Sequence, residues 1–390
     1  MNNKWTYKTF GDVGSFLRGK SIQKADFVEK GLPCIHYGQI HTKFGISVDK
    51  HLSEIPQEVF DKSIIASPGD VIIAITSEDL EGSCKSTAWL GKYDVAVSAH
   101  AAVYKHNLNP KFIAYYLRSN SFYTEKEKYA RGFKVMEIKP ADIAKIPIPI
   151  PPNDIQEGVV SELDNINNLI MIKKSQLQEL DILAQSIFYE MFGDPVFNDK
   201  GWCIKKIGEI GSVERGAGIS KKDFVDEGLP CIHYGQLHTI LGPVTYANKT
   251  FIPKNLLNKY KTAQTGDVIM AITSEDVEGS CKSTVWLGDY DVVIGSDAAI
   301  LHHSQNGVYI SFYTKTKAFF NEKSKYAKGF KVTHISTREI ESISILVPPL
   351  SLQQSFAERI HNIENQKQQI CKSIKDLEIL FASRMQYWFD

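Results

Sequence analysis

The chain has no window of about 18 uncharged apolar residues, so no membrane-spanning helix is expected. Its first stretch, Met1 to Phe10, lacks both an apolar core and a small-residue cleavage site, so no secretion signal is expected and the chain is placed in the cytoplasm. Cysteine is sparse, with 6 in 390 residues and no short-spaced framework, which suits reduced thiols better than disulfides. Charge of one sign is not in excess either, since 45 basic residues face 45 acidic ones. A surface for a polyanion must therefore be a local patch. Also missing are an Asp/Asn/Ser-Pro-Pro-aromatic signature of amino-methyltransferases, a glycine-rich cofactor loop after a strand in both halves, and a set of helicase motifs. No catalytic residue and no cofactor bound by this chain is expected.

What is present is a long internal repeat. Gly31-Leu-Pro-Cys-Ile-His-Tyr-Gly-Gln39 recurs letter for letter as Gly228 to Gln236, an offset of 197 residues. The same offset relates Gly69-Asp-Val-Ile to Gly266-Asp-Val-Ile, Thr76-Ser-Glu-Asp to Thr273-Ser-Glu-Asp, Gly82 to Thr87 with Gly279 to Thr284, and Lys128 to Val135 with Lys325 to Val332. Four cysteines are copies in this sense, Cys34 with Cys231 and Cys84 with Cys281. Each unit fills half the chain, far longer than a solenoid repeat, so a whole domain and its appendage are duplicated.

The first part of each copy mixes β-branched runs with turn signals, as in Val71 to Thr76 after Pro68-Gly69-Asp70, while Phe112 to Arg118 has helical character. An α/β (α+β) domain with a twisted mixed sheet follows. After Pro151-Pro152 and Pro348-Pro349 the pattern changes. Asp154-x-x-Glu157 and Ser351-x-x-Gln354 have capping-box form, and apolar residues then recur in steps of three, four and seven: Leu163, Ile166, Ile170, Leu177, Leu180, Ala184, Ile187 and Met191, then Ile360, Ile363, Ile370, Ile374, Leu377 and Phe381. Two helices of roughly 38 residues, about 57 Å each, are predicted to pack on one another. Lys173 and Lys367 each interrupt one seam, either fixing register or reaching out to solvent. The expected domains are 1–150 and 194–347, with long helices at 151–193 and 348–390. The aromatic ends of those helices, Phe188 to Phe192 and Tyr387 to Phe389, are expected to serve partner docking, or else to pack onto the globular domains.

Gly31-x-Pro-x-Ile-x-Tyr-Gly-Gln39, Gly69-Asp-Val-Ile, Gly132-Phe-Lys-Val135 and Ile148-Pro-Ile-Pro-Pro152 before a long helix, all in one order and present twice, resemble the target-recognition domains and conserved helices of type I restriction-modification specificity subunits. The resemblance covers the whole chain. It implies double-stranded DNA as ligand, each globular domain reading half of a bipartite site. It further implies two antiparallel helices forming a coiled coil that sets the spacing, two methyltransferase subunits docked on them, and a restriction subunit in addition. S-adenosylmethionine would bind the methyltransferase partner. A self-contained nuclease or methyltransferase, the specificity subunit of another multi-subunit methyltransferase or defence system, and a pure scaffold are the alternatives.

Three motifs are candidate DNA contacts. His36, Tyr37, Gln39 and His41, with copies His233, Tyr234, Gln236 and His238, supply an amide for adenine and rings that stack or reach phosphate; a satisfied loop around Gly38 is the alternative. Ser77, Glu78, Asp79, Ser83 and Lys85, with copies Ser274, Glu275, Asp276, Ser280 and Lys282, place donors and acceptors in one strand-to-strand loop, where a carboxylate suits cytosine N4. Lys128, Arg131 and Lys134, with Lys325, Lys328 and Lys331, interleave with aromatics beside Lys126 and Lys323 in a stretch suited to phosphate, or simply to solvent. Cys34-x-His36 with His41 brings zinc to mind, but a closed site needs four ligands and none is expected. Gly14 to Ser21 satisfies the phosphate-loop pattern, yet its copy has Ala217 and Gly218 for Lys20 and Ser21, so a surface turn is expected there instead.

If the two domains face the duplex in opposite senses, near-identical readers imply an interrupted palindrome or one failing at a single base pair. His100 against Asp297, Lys43-Phe44 against Ile240-Leu241, and Met136-Glu137 against Thr333-His334 are the differences that break it.

Overall fold

A continuous apolar run becomes a strand covered on both faces, and Val71–Ala74, with all four residues buried, is the middle strand of five. The structure, a computed structural model, describes residues 5–132, 134–219, 221–254, 260–327, 329 and 332–390. They form two units, Met1–Lys174 with Lys372–Asp390, and Ser175–Cys371.

In the first unit the five-stranded sheet has the order Gly14–Arg18, Ala101–His106, Val71–Ala74, Ser86–Trp89, Ser47–Val48. Its neighbours are antiparallel except for the last pair, which is parallel. A second sheet of Ser53–Ile55, Leu32–Ile35, Val95–Val97 and Ile64–Ala66 has a parallel central pair between antiparallel edges. Side-chain alternation along Val71–Ala74 sends Val71 and Ile73 into a core with Phe112, Tyr115 and Phe122, and Ile72 and Ala74 into another with Trp89 and Val97. The helices Pro110–Tyr116 and Asn120–Glu127 start where Asn109 and Ser119 accept hydrogen bonds from otherwise unpaired backbone N–H groups. The second unit repeats the plan, with a five-stranded sheet of Gly211–Arg215, Ala298–His303, Val268–Ala271, Ser283–Trp286 and Val244–Thr245 and a four-stranded one of Thr250–Ile252, Leu229–Ile232, Val292–Ile294 and Thr262–Ala263. The mixed α/β class read from the sequence is the one observed.

The long helices are Asn153–Phe192 and Leu350–Phe389, each of 40 residues. Each unit holds one segment of both, and within each unit the two segments run antiparallel. In the first unit, Arg384 and Trp388 Nε1 both donate to the Glu162 carboxylate, and Lys174 pairs with Glu378 at 2.9 Å. In the second, Lys367 bridges Asp181 at 2.8 Å and Glu364 at 2.9 Å, so this seam lysine is held in an ion pair rather than freely solvated. Two buried glutamines fasten the helix starts. Gln156 accepts from Asn109 N–H at 3.0 Å and donates to the Pro151 carbonyl at 2.9 Å, and Gln353 does the same with Asn306 and Pro348.

One open expectation is resolved to its alternative, packing onto the globular domains, and another is corrected. The aromatic helix ends are largely used up inside their own units. Phe188 and Phe192 lie in the core of the second with Tyr309 and Phe356, and Phe389 packs on Phe112 and Tyr116 in the first. Burying each such ring is worth about 1.5–3 kcal/mol, which opposes releasing it to a partner. Tyr387 alone of these stands mostly exposed, at 59%. The segment that matches the phosphate-loop pattern is not a surface turn either: Gly14–Arg18 is an edge strand paired with Ala101–His106, and no helix follows it directly.

Candidate nucleic-acid interface

In the first unit, the strand Thr76–Ser77 leaves the sheet and the chain returns at Ser86, so the polar loop between them must be held by its own groups. Asp79 Oδ1 accepts from Gly82 N–H at 2.7 Å, and Ser83 Oγ donates to the Leu80 carbonyl at 2.7 Å. Gly82 is needed because a Cβ there would fall 2.2 Å from Ser77 Oγ. Cys84, at φ 61°, turns the chain through the left-handed region with its thiol buried, and burial pushes that thiol up to about 12. Beneath the loop, the Lys126 ammonium donates to the carbonyls of Ser83 at 2.6 Å and Glu81 at 3.2 Å.

A short helix, Tyr37–Thr42, lies against this loop. Its N-cap is His36, whose Nδ1 accepts from Gly38 N–H at 3.2 Å, while Gln39 Oε1 accepts from His36 N–H at 3.0 Å. Burial lowers the His36 pKa, with the positive field of Lys24 and His100 adding to it. His41 Nε2 sits 3.1 Å from the Thr76 carbonyl, and Lys85 Nζ donates to the His41 carbonyl at 2.6 Å. The two motifs, 35 or more residues apart in sequence, are thereby joined along a cleft of about 1140 Å³ whose lining includes Tyr37, His41, Ser77, Glu78, Asp79, Lys85 and His100.

The cleft presents acceptors at exposed Glu78 and Asp79, a partly covered ammonium at Lys85, and the Tyr37 ring, whose centroid lies 4.5 Å from that of His36 and 4.9 Å from that of His100. Both hydrogen-bonding polarities and a flat ring thus share one concave face. That is the inventory reading of base edges requires.

The second unit builds the same loop. Gly279 N–H bonds to Asp276 Oδ1 at 2.7 Å, Ser280 Oγ to the Val277 carbonyl at 2.7 Å, Lys282 Nζ to the His238 carbonyl at 2.8 Å, and Lys323 Nζ to the carbonyls of Glu278, at 2.7 Å, and Ser280. His238 Nε2 is 3.1 Å from the Thr273 carbonyl, and Tyr234 is 43% exposed. Glu275 and Asp276 are exposed, whereas Ser274 is buried.

Several expected contacts are redirected inward. Ser83 and Ser280 are fully buried and bond within their loops, so they shape those loops rather than face a ligand. Gln39 and Gln236 spend their amide oxygens on the N-caps His36 and His233, and Gln39 donates to Ser53 Oγ at 2.7 Å. Their amides are not presented for adenine. Lys126 and Lys323 are buried clamps and not phosphate contacts, and burial lowers the pKa of both. Spacing carried a signal for this, because Lys126 stands four residues after the buried Phe122 and so on the inward face of its helix. His233 is the N-cap of Tyr234–Thr239.

The third motif remains outward. Lys128 is paired with Glu125 at 2.6 Å, Arg131 is 70% exposed with Asp142 at 3.9 Å, and Lys134 is exposed. Lys325 pairs with Glu322, while Lys328 and Lys331 lie outside the described residues. Cys34 is packed with Ile22, Ile55 and Ala96, apart from the cluster that holds Cys84, and among the described residues no three His, Cys, Asp or Glu side chains gather as metal ligands. No described helix is long and apolar enough to cross a membrane.

Compared with known proteins, residues 2–181 and 199–378 each match the profile of a family described as the type I restriction modification DNA specificity domain. The chain is 21% identical to the type I restriction enzyme MjaVIII specificity subunit of Methanocaldococcus jannaschii, over 96% of this chain and 91% of that protein. It is also 21% identical to the EcoKI specificity subunit of Escherichia coli K12, over 92% and 82% respectively. Among solved structures, its fold resembles an S subunit of a type I restriction-modification system from M. genitalium at a TM-score of 0.55 and 13% identity, covering 99% of this chain and 96% of that one. A chain from a study of type I complex assembly and conformational transition aligns at a TM-score of 0.59 and 17% identity, covering 99% and 97%.

Proposed function

The chain belongs to the type I restriction modification DNA specificity family, both halves of it matching, and from that premise we propose that each of its two units reads one half of a bipartite duplex DNA site. The observation that carries this reading is the doubled loop assembly. In both units a loop of Ser, Glu and Asp is held from beneath by a buried lysine and tied by a second lysine to a helix capped by histidine, with exposed carboxylates and a tyrosine ring beside it. Glu78, Asp79, Lys85, Tyr37 and His41, with Glu275, Asp276, Lys282, Tyr234 and His238, are the side chains assigned to that face. The Lys128, Arg131 and Lys134 stretch with its copy is assigned to phosphates.

In this reading the chain performs no chemistry. It works in the cytoplasm and directs two methyltransferase subunits, which hold S-adenosylmethionine, and a restriction subunit to the site. Because the two readers are near copies, the site is an interrupted palindrome or departs from one at a single base pair. The test is to express the chain with its methyltransferase subunit in a host lacking other methylation and map methylated adenines on both strands. A two-part sequence is expected. Methyl transfer by the chain alone, or methylation with no sequence pattern, would overturn the reading.

A further inference from the structure

The two units share one backbone frame around a single threonine, and the groups on that frame are exchanged. In the first unit Thr76 is cross-strand from Glu137, and its Oγ1 lies 3.1 Å from His100 Nδ1. In the second, Thr273 is cross-strand from His334, with Nδ1 at 3.4 Å, and donates to Asp297 Oδ1 at 3.3 Å. The frame itself does not change. Ile75 N–H donates to the His100 carbonyl at 2.9 Å, and Ile272 N–H to that of Asp297 at 3.0 Å. One unit therefore carries histidine then acid, the other acid then histidine, at the same two places.

An arginine follows the acid. Arg18 Nη2 is 3.0 Å from Glu137 Oε1, an ion pair without hydrogen-bond alignment, and the equivalent Arg215 reaches toward Asp297 Oδ1 at 3.9 Å. Arginine, threonine, one acid and one histidine are thus kept as a set while two members trade positions. Divergence of residues that do not act together has no reason to keep the set. His100 also lines the cleft that gathers Glu78, Asp79 and Lys85.

We propose, resting on the reading of each unit as a half-site reader, that His100 with Glu137 and Asp297 with His334 are the residues that make the two half-sites differ. At the position of His100 the first unit offers an imidazole, able to donate to a base acceptor such as guanine O6 or N7. At the same position the second offers a carboxylate, which accepts only and so selects an amino group, adenine N6 or cytosine N4. The predicted difference is a single base pair, with an acceptor edge in one half replaced by an amino edge in the other.

The experiment transplants the pair in the full chain expressed with its methyltransferase subunit, in H100D/E137H and, reciprocally, in D297H/H334E. Mapping of methylated adenines is expected to show the first variant treating both half-sites alike, with the second unit's base at that position, and the reciprocal variant doing the converse. The shift in relative methylation is expected to be roughly tenfold or more, the ordinary effect of one mismatched pair. An unchanged sequence in either active variant, loss of methylation in both, or a perfect palindrome for the unaltered chain overturns the proposal. Absence of any two-part sequence for the unaltered chain would instead remove the reading on which it rests.

Discussion

The Lys126 ammonium lies 2.6 Å from the Ser83 carbonyl, buried under the loop that carries Glu78 and Asp79. It is an internal strut, so its loss should disturb the loop without altering contact to phosphate. Lys126→Met leaves two loop carbonyls without their donor, a cost of about 1–3 kcal/mol. Titration with the methylated sequence and with a scrambled duplex is expected to show specific affinity falling by roughly tenfold or more, non-specific affinity holding, and an unchanged salt slope. A shallower slope would place the ammonium on the DNA backbone.

Lys128, Arg131 and Lys134 should behave in the opposite way. They are outward and their partners are weak or local. Replacing all three with alanine is expected to weaken binding to every sequence alike and to reduce the slope of log affinity against log salt by about one for each phosphate left without its cation. A changed base preference with the original slope would assign them to base edges.

The repeat, the mixed α/β class and the long helices were legible because each rests on local pattern: identical letters at one offset, β-branched runs between turns, and steps of three and four. The loop region was legible as a region but not residue by residue. Gln39 has the chemistry to read adenine, yet its oxygen caps His36, and only the fold shows Ser53 waiting for its NH2 group. Lys126 looked like one more cation in a basic stretch until its position beside Phe122 on the inner face of the helix was fixed. His100 and Glu137 were visible only as two separate differences between copies. Their meeting at Thr76 depends on a turn 24 residues away for His100 and a strand about 60 residues away for Glu137, which no periodicity reports.

Gln156 provides a stability test. Its amide is buried and bonded to Asn109 and Pro151, so Gln156→Leu strands a backbone N–H and a carbonyl at the junction of helix and domain. A loss of about 2 kcal/mol or more is expected, a fall of roughly 4–8 °C in the first thermal transition. The exposed neighbour change Glu157→Ala is expected to stay within about 0.5 kcal/mol. Equal effects from the two would show that the amide is not a fastening.

Acid should weaken the first unit through His106. Burial lowers its pKa to about 4, against an ordinary value of 6.5, and Nδ1 accepts from Leu108 N–H at 3.2 Å, a bond the neutral ring makes and a protonated Nδ1 loses. Below pH 6.5 the unfolded chain takes up a proton there that the folded chain refuses until about pH 4. The unfolded state binds more protons throughout that window, so stability rises with pH across it and falls on acidification, by up to about 3 kcal/mol. Glu54, whose pKa is lowered chiefly by its hydrogen bond from Gly31 N–H, has the same sign but acts lower, from its ordinary 4.5 downward. Denaturant unfolding at steps from pH 7 to 4 should therefore show a slope above pH 5 that His106→Asn reduces, the remainder coming from His36 and His303, whose pKa values burial also lowers, with the part below pH 4.5 retained. If the slope above pH 5 is undiminished by the substitution, the His106 imidazole is not a source of it.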